Sequence, residues 1–122
     1  MEWEIIIHEN PGYLEIKTAG KADKNGSLEM AKAITENMRK HRITRALIDH
    51  RMIESVEGGA ADIYERPRIF KLIGAILNIR IAEIIKPEHI EHFRFFETVC
   101  LNQGYKFSIF QEKEPAQKWL LG

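Results

Sequence analysis

The sequence predicts an α/β fold: a single mixed, mostly parallel five-stranded sheet with about four helices, in the order β-β-α-β-α-β-α-β-α. Three observations lead there. The run Ala46-Leu47-Ile48, ending in the charged Asp49-His50-Arg51, is too short for a helix face but suits a strand buried on both sides. Strand-like and helix-like periods alternate from there to the end, which implies crossovers between parallel strands. Before them stand two alternating segments joined by a tight turn, an antiparallel hairpin that makes the sheet mixed.

Trp3, Ile5 and Ile7 alternate with Glu2, Glu4 and His8, and Leu14 and Ile16 with Tyr13, Glu15 and Lys17, so this pair of strands is expected to keep one wetter face. Between them Asn10-Pro11-Gly12-Tyr13 fits a type II turn, with Pro second and Gly third. Asn25 or Ser27 can cap the first helix, where Leu28, Ala31, Ile34 and Met38 recur at helical spacing. Its basic end, Arg39 to Arg42, suits a helix C-terminus without any anionic partner. The central strand carries Asp49 and His50 to its carboxyl end, followed by a loop from Met52 to Gly59, where open α/β sheets gather their ligands.

Pro67 cannot sit deep in a helix, so the next helix is expected to start there. Two apolar rows run along it: Ile63, Phe70, Ile73 and Leu77, and beside them Ile69, Leu72 and Ile76. Together they are wider than the roughly 100° stripe that a sheet covers, so another helix, a second copy of the chain or an apolar ligand must cover the second row. Arg80 to Ile85 reads as the fourth strand. Ile90, Phe93, Phe96 and Cys100 mark the inner face of a helix that stops at Gly104, a residue suited to the left-handed cap. Tyr105 to Phe110 is the fifth strand, and a last helix with Pro115 near its start turns Ala116, Trp119 and Leu120 inward.

Composition narrows the function. The 122 residues suit one domain, 1–122, and 44 % hydrophobic with 30 % charged residues is ordinary for a globular chain. The 18 basic and 18 acidic side chains cancel, leaving no overall field to attract nucleic acid. The lone Cys100 needs no oxidising compartment, Glu2 and Glu4 stand where a signal peptide requires basic residues, and the apolar window Ile69 to Ile81 is too short and too interrupted for a bilayer span. A cytoplasmic location, with no membrane span, is expected.

The order of elements, with Arg45-Ala46-Leu47-Ile48-Asp49 at the centre and Arg80-Ile81-Ala82 opening the next strand, resembles the SpoIIAA-like superfamily. So do the run Phe96 to Phe110, with its Gly104-Tyr105 and Phe107, and the closing Ala116-Gln117-Lys118-Trp119-Leu120. The resemblance covers nearly the whole chain and is greatest to the uncharacterised bacterial STAS/CRAL-TRIO-like branch. It implies the fold and a regulatory or interaction role. In the anti-sigma-factor antagonists that typify the superfamily, a serine in Asp-Ser-x-Gly after the central strand is phosphorylated by a partner kinase. Here that stretch reads Ile53-Glu54-Ser55-Val56-Glu57-Gly58, with Glu for Asp and an extra residue before the glycine. A phosphate on Ser55 would repel Glu54 and Glu57 and act as a disruptor. CRAL-TRIO-like relatives imply a different role, the holding of a lipid in an apolar cleft.

No constellation spells out a reaction. Asp49 and His50 are strand neighbours that point to opposite faces, so they cannot grip one proton together. His89 and His92 share a helix face but lack a third ligand, so no metal is expected, and Cys100 reads as a small buried hydrophobe. No cofactor motif is present. The expected function is therefore that of a non-enzymatic interaction domain for a protein partner or a second copy of itself. The candidate binding residues are Asp49, His50, Ser55, Ile69, Leu72 and Ile76. The alternative is a carrier of a lipid or other apolar small molecule.

Overall fold

The computed structural model describes residues 1–57 and 79–122. Five strands, β1 (Glu2–Glu9), β2 (Gly12–Ala22), β3 (Arg45–Val56), β4 (Arg80–Ile84) and β5 (Lys106–Phe110), form one sheet in the order β1-β2-β3-β4-β5. β1 pairs antiparallel with β2, and the other three pairings are parallel, so the sheet is mixed. The described residues contain three α-helices: α1 (Lys24–His41), α2 (Ile90–Asn102), which follows a 3₁₀ turn at Pro87–His89, and α3 (Lys113–Leu121). The helix expected from Pro67, and with it Ile69, Leu72 and Ile76, lies outside the described residues.

β3 is the middle strand, and Ala46, Leu47 and Ile48 are almost wholly buried because layers of side chains cover both faces. Alternation sends Ala46 and Ile48 to one face with Leu14, Ile16 and the α1 residues Met30, Ile34 and Met38. On the same side Phe96 and Cys100 of α2 pack on Phe107. Leu47 points the other way, to Tyr13, Ala82, Ile84 and the α3 residues Ala116 and Leu120.

That second layer corrects the expectation of a wetter hairpin face in part: Glu2, Glu4 and Lys17 are exposed, but the stretch around Tyr13 and Glu15 is not. Tyr13 and Glu15 are 6 % and 4 % exposed, because α3 covers them and Lys113 at its start donates to Glu15 over 3.0 Å. Glu15 also bonds His8 Nε2 at 2.9 Å, so its charge is buried with two partners rather than solvated. The hairpin turn differs as well: β1 ends at Glu9 and β2 starts at Gly12, leaving a two-residue loop with a cis Asn10–Pro11 bond, and Gly12 has no positive φ.

The helix ends show why the chain stops where it does. Asp23, not Asn25 or Ser27, caps α1, its carboxylate accepting from the Gly26 amide. At the other end Arg42 takes the left-handed conformation, φ 55°, and the Ile43 amide closes back on Met38 O at 3.0 Å. α2 ends as its sequence predicts: Gly104 has φ +87°, and Gly104 N–H and Tyr105 N–H return to Leu101 O and Cys100 O at 3.1 and 3.0 Å, a Schellman motif.

Candidate functional site

β3 does not stop at Asp49. It runs on to Val56, so Asp49, His50 and Ser55 lie within a strand and not in a loop at its end. The sequence offered a charged cluster as a stop signal, yet β2 is 11 residues long and supplies a partner for the extra length. β4 does not: its five residues pair with Arg45 to Asp49 only, so among the described strands the segment from His50 to Val56 is paired on the β2 side alone. Two register shifts, between Lys17 and Ala19 and between Gly20 and Lys21, each place an extra residue in β3. The first falls at His50 and Arg51, where irregular pairing can re-aim side chains.

Asp49 and His50 point to opposite faces, as neighbours in a strand must. Asp49 lies with Arg51, whose Nε and Nη2 donate to its two carboxylate oxygens at 2.9 and 2.7 Å while the Arg51 amide donates at 3.0 Å. Burial works against the charge on Asp49, but these bonds outweigh it and hold the carboxyl below its usual range. Such a carboxylate is already fully engaged.

His50 faces the α1 and α2 layer and belongs to a buried polar row that crosses three strands. Its Nδ1 is 2.7 Å from Thr18 Oγ1 on β2, its Nε2 is 3.3 Å from Glu83 Oε2 on β4, and its ring stacks on Phe93 of α2 at 5.0 Å. Thr18, His50 and Glu83 are all at most 5 % exposed. The Asp49 carbonyl accepts from the Thr18 hydroxyl at 3.2 Å, so Thr18 meets both the main chain and the imidazole of β3. The hydroxyl–imidazole–carboxylate order looks like a hydrolytic triad, but Thr18 is 1 % exposed and does not line the adjoining cavity, which keeps its hydroxyl out of reach of a substrate there.

His50 and Glu83 of this row form the polar floor of a cavity of about 80 Å³, lined mostly by apolar side chains of α1, α2 and the sheet, with Ser27, Thr35 and Tyr105 as further polar residues of the lining. Lys106, an exposed residue, lines it too, so the cavity reaches the surface there. Glu83 Oε1 is buried and has no hydrogen-bond partner among the described residues. Sequence reading missed both Thr18 and Glu83. Glu83 carried a usable signal, since it is a charge inside the apolar run Ile81 to Ile85, whereas Thr18 carried none.

Ser55 is half-buried within β3, in register with Lys21. Cys100 is buried and lines the cavity, and burial, with the charges of Glu83 and Glu97 adding to it, pushes its thiol well above the usual range. Among the described residues no three His, Cys, Asp or Glu side chains converge as a metal site, and no helix is long and apolar enough to cross a membrane.

Comparison with solved structures places this arrangement. An uncharacterised DUF3478-family protein from Shewanella loihica PV-4, itself described as SpoIIAA-like, superposes with a TM-score of 0.64 at 22 % identity over 97 % of this chain and 93 % of its own. The anti-sigma factor antagonist SpoIIAA in its unphosphorylated form superposes with a TM-score of 0.55 at 14 % identity over 99 % of both chains. The fold is SpoIIAA-like. At these identities the likeness carries the SpoIIAA-like architecture and not the residues of a site. No protein-family model and no curated protein matches the sequence.

Proposed function

We propose that this chain is a non-enzymatic, cytoplasmic interaction domain with a regulatory role, docking a protein partner or a second copy of itself along the far half of β3. The observation that carries this reading is the length mismatch between β3 and β4. From His50 to Val56 the strand has no described neighbour on the β4 side, and it presents Arg51, Met52 and Glu54 to solvent, with Met52 70 % exposed. An open strand edge with an exposed apolar side chain suits docking by strand addition, in which main-chain bonds give affinity and side chains give choice. SpoIIAA, an anti-sigma factor antagonist, is a regulatory protein of the same fold, which supports the class of role.

The test is native mass spectrometry of freshly purified protein, joined to photo-crosslinking from position 52 in cells. A dimer or a discrete crosslinked protein that Met52→Asp abolishes, with an unchanged unfolding midpoint, is the expected result. A bare monomer with no protein crosslinked from position 52 overturns the reading. The cavity beside His50 favours a second reading, a carrier of an apolar small molecule, for which a stoichiometric small added mass is the signature.

A further inference from the structure

We propose that the cavity between α1 and α2 binds the alcohol end of a small apolar molecule, whose hydroxyl donates to Glu83 Oε1. This deepens the carrier reading and rests on it. Three features of the cavity lead to the alcohol. Apart from Ser27, Thr35, Tyr105 and Lys106 the walls are apolar, so the body of the ligand is a hydrocarbon. At the floor, Glu83 Oε1 is buried without a partner among the described residues, and a buried acceptor left unmade costs about 1–3 kcal/mol, which a donor entering the cavity recovers.

The number of open acceptors then selects among donors. Among the described residues that line the cavity, Glu83 Oε1 is the one buried side-chain oxygen without a partner. An ammonium head would bring three N–H donors to that single oxygen, and a carboxylate would set one acceptor against another. A hydroxyl satisfies the oxygen with its single proton. The remaining positions are already taken: Thr18 is engaged with Asp49 O and His50, and His50 Nε2 with Glu83 Oε2. The volume, about 80 Å³, is roughly half that of an engineered apolar cavity that admits benzene at ~150 Å³. The hydroxyl and about two carbons therefore fit inside, on the scale of half a benzene, and a longer body leaves beside Lys106.

The probe pair that isolates the hydroxyl is 2-butanol and butanone, which share a skeleton and differ in that one donates and the other only accepts. In amide and His-ring NMR titrations of the full chain, 2-butanol is expected to shift the His50 and Thr18 signals. It should bind at least tenfold more tightly than butanone, since a site built for a donor rejects an analogue that lacks it. In Glu83→Gln the amide can turn its NH₂ into the cavity, and the preference should fall to about onefold. The reading is a ratio, so a general loss of stability does not imitate it.

Equal binding of both probes to the wild-type chain, or an unchanged ratio in Glu83→Gln, overturns the assignment of the hydroxyl while leaving an apolar carrier intact. If neither probe shifts the His50 or Thr18 signals at tens of millimolar, the oxygen is met by water alone, and both this inference and the carrier reading fall. Should Glu83→Gln not fold, the wild-type ratio alone still decides.

Discussion

Replacing Glu15 by Gln removes a buried charge and little else. The Glu15 side chain is 5 % exposed and accepts from His8 Nε2 at 2.9 Å and Lys113 Nζ at 3.0 Å, tying β1 and α3 to β2. A hydrogen bond to a charged group contributes about 1.5–3 kcal/mol. The partners here are 37 % and 41 % exposed, so solvent screening reduces each bond, and the amide retains one acceptor. A net loss of about 2 kcal/mol at pH 7 follows, or roughly 6–12 °C in Tm for a chain of this size. Burial alone would raise the Glu15 carboxyl, but the His8 bond, followed by the bond and charge of Lys113, outweighs it and the net shift is downward. A carboxyl depressed in the folded state contributes stability that is complete above its unfolded value, near ~4.3, and is lost as pH falls through the lower folded value. Urea unfolding of both proteins from pH 7 to pH 2.5 should therefore give a gap that is constant down to about pH 5 and closes at the acid end. A gap that persists undiminished at pH 2.5 would assign the loss to packing, and no gap at pH 7 would refute the buried pair as a source of stability.

Arg42 holds a left-handed conformation that costs a non-glycine residue about 1–2 kcal/mol, so Arg42→Gly should raise stability by about 0.5–1 kcal/mol after the entropic cost of glycine. Gly104→Ala is the mirror experiment: nothing lies within 4 Å of the added Cβ, so any loss, about 1 kcal/mol, reports φ +87° alone, and chemical denaturation decides both. The buried Cys100 thiol is pushed above its usual range, and at pH 8 its reaction with an aromatic disulfide should proceed at the rate of native-state opening. Fast labelling of the folded chain would contradict its burial.

Much of the architecture was legible because it rests on periodicity and on local chemistry. The middle strand, the inner faces of α2 and α3, and the Gly104 stop all follow from spacings of two or about 3.6 residues and from the backbone freedom of one glycine. The failures share a cause, in that a tertiary partner changed the meaning of a local signal. Glu15 sits in a polar/apolar alternation that normally marks a solvated face, and α3, 98 residues on at Lys113, makes its part of that face interior while Glu2, Glu4 and Lys17 stay exposed. Asp49-His50-Arg51 looks like the end of a strand, and it continues because β2 extends far enough to pair with it.

The site shows the same rule from the other side. Asp49 and His50 were chosen for their place at the end of an apolar run, and of the two only His50 reaches the cavity, since alternation sends Asp49 to Arg51 across the sheet. Glu83 was the residue to question. A carboxyl in the middle of Ile81-Ala82-Glu83-Ile84-Ile85 must find partners inside the sheet, and in a parallel array those partners come from neighbouring strands at matched height. Ile48 is in register with Glu83 on β4 and with Ile16 on β2, and one step along the same face lie His50 and Thr18. A buried charge in an apolar strand thus points outward along the row to the residues that must answer it, and here it points to one oxygen more than the row can satisfy.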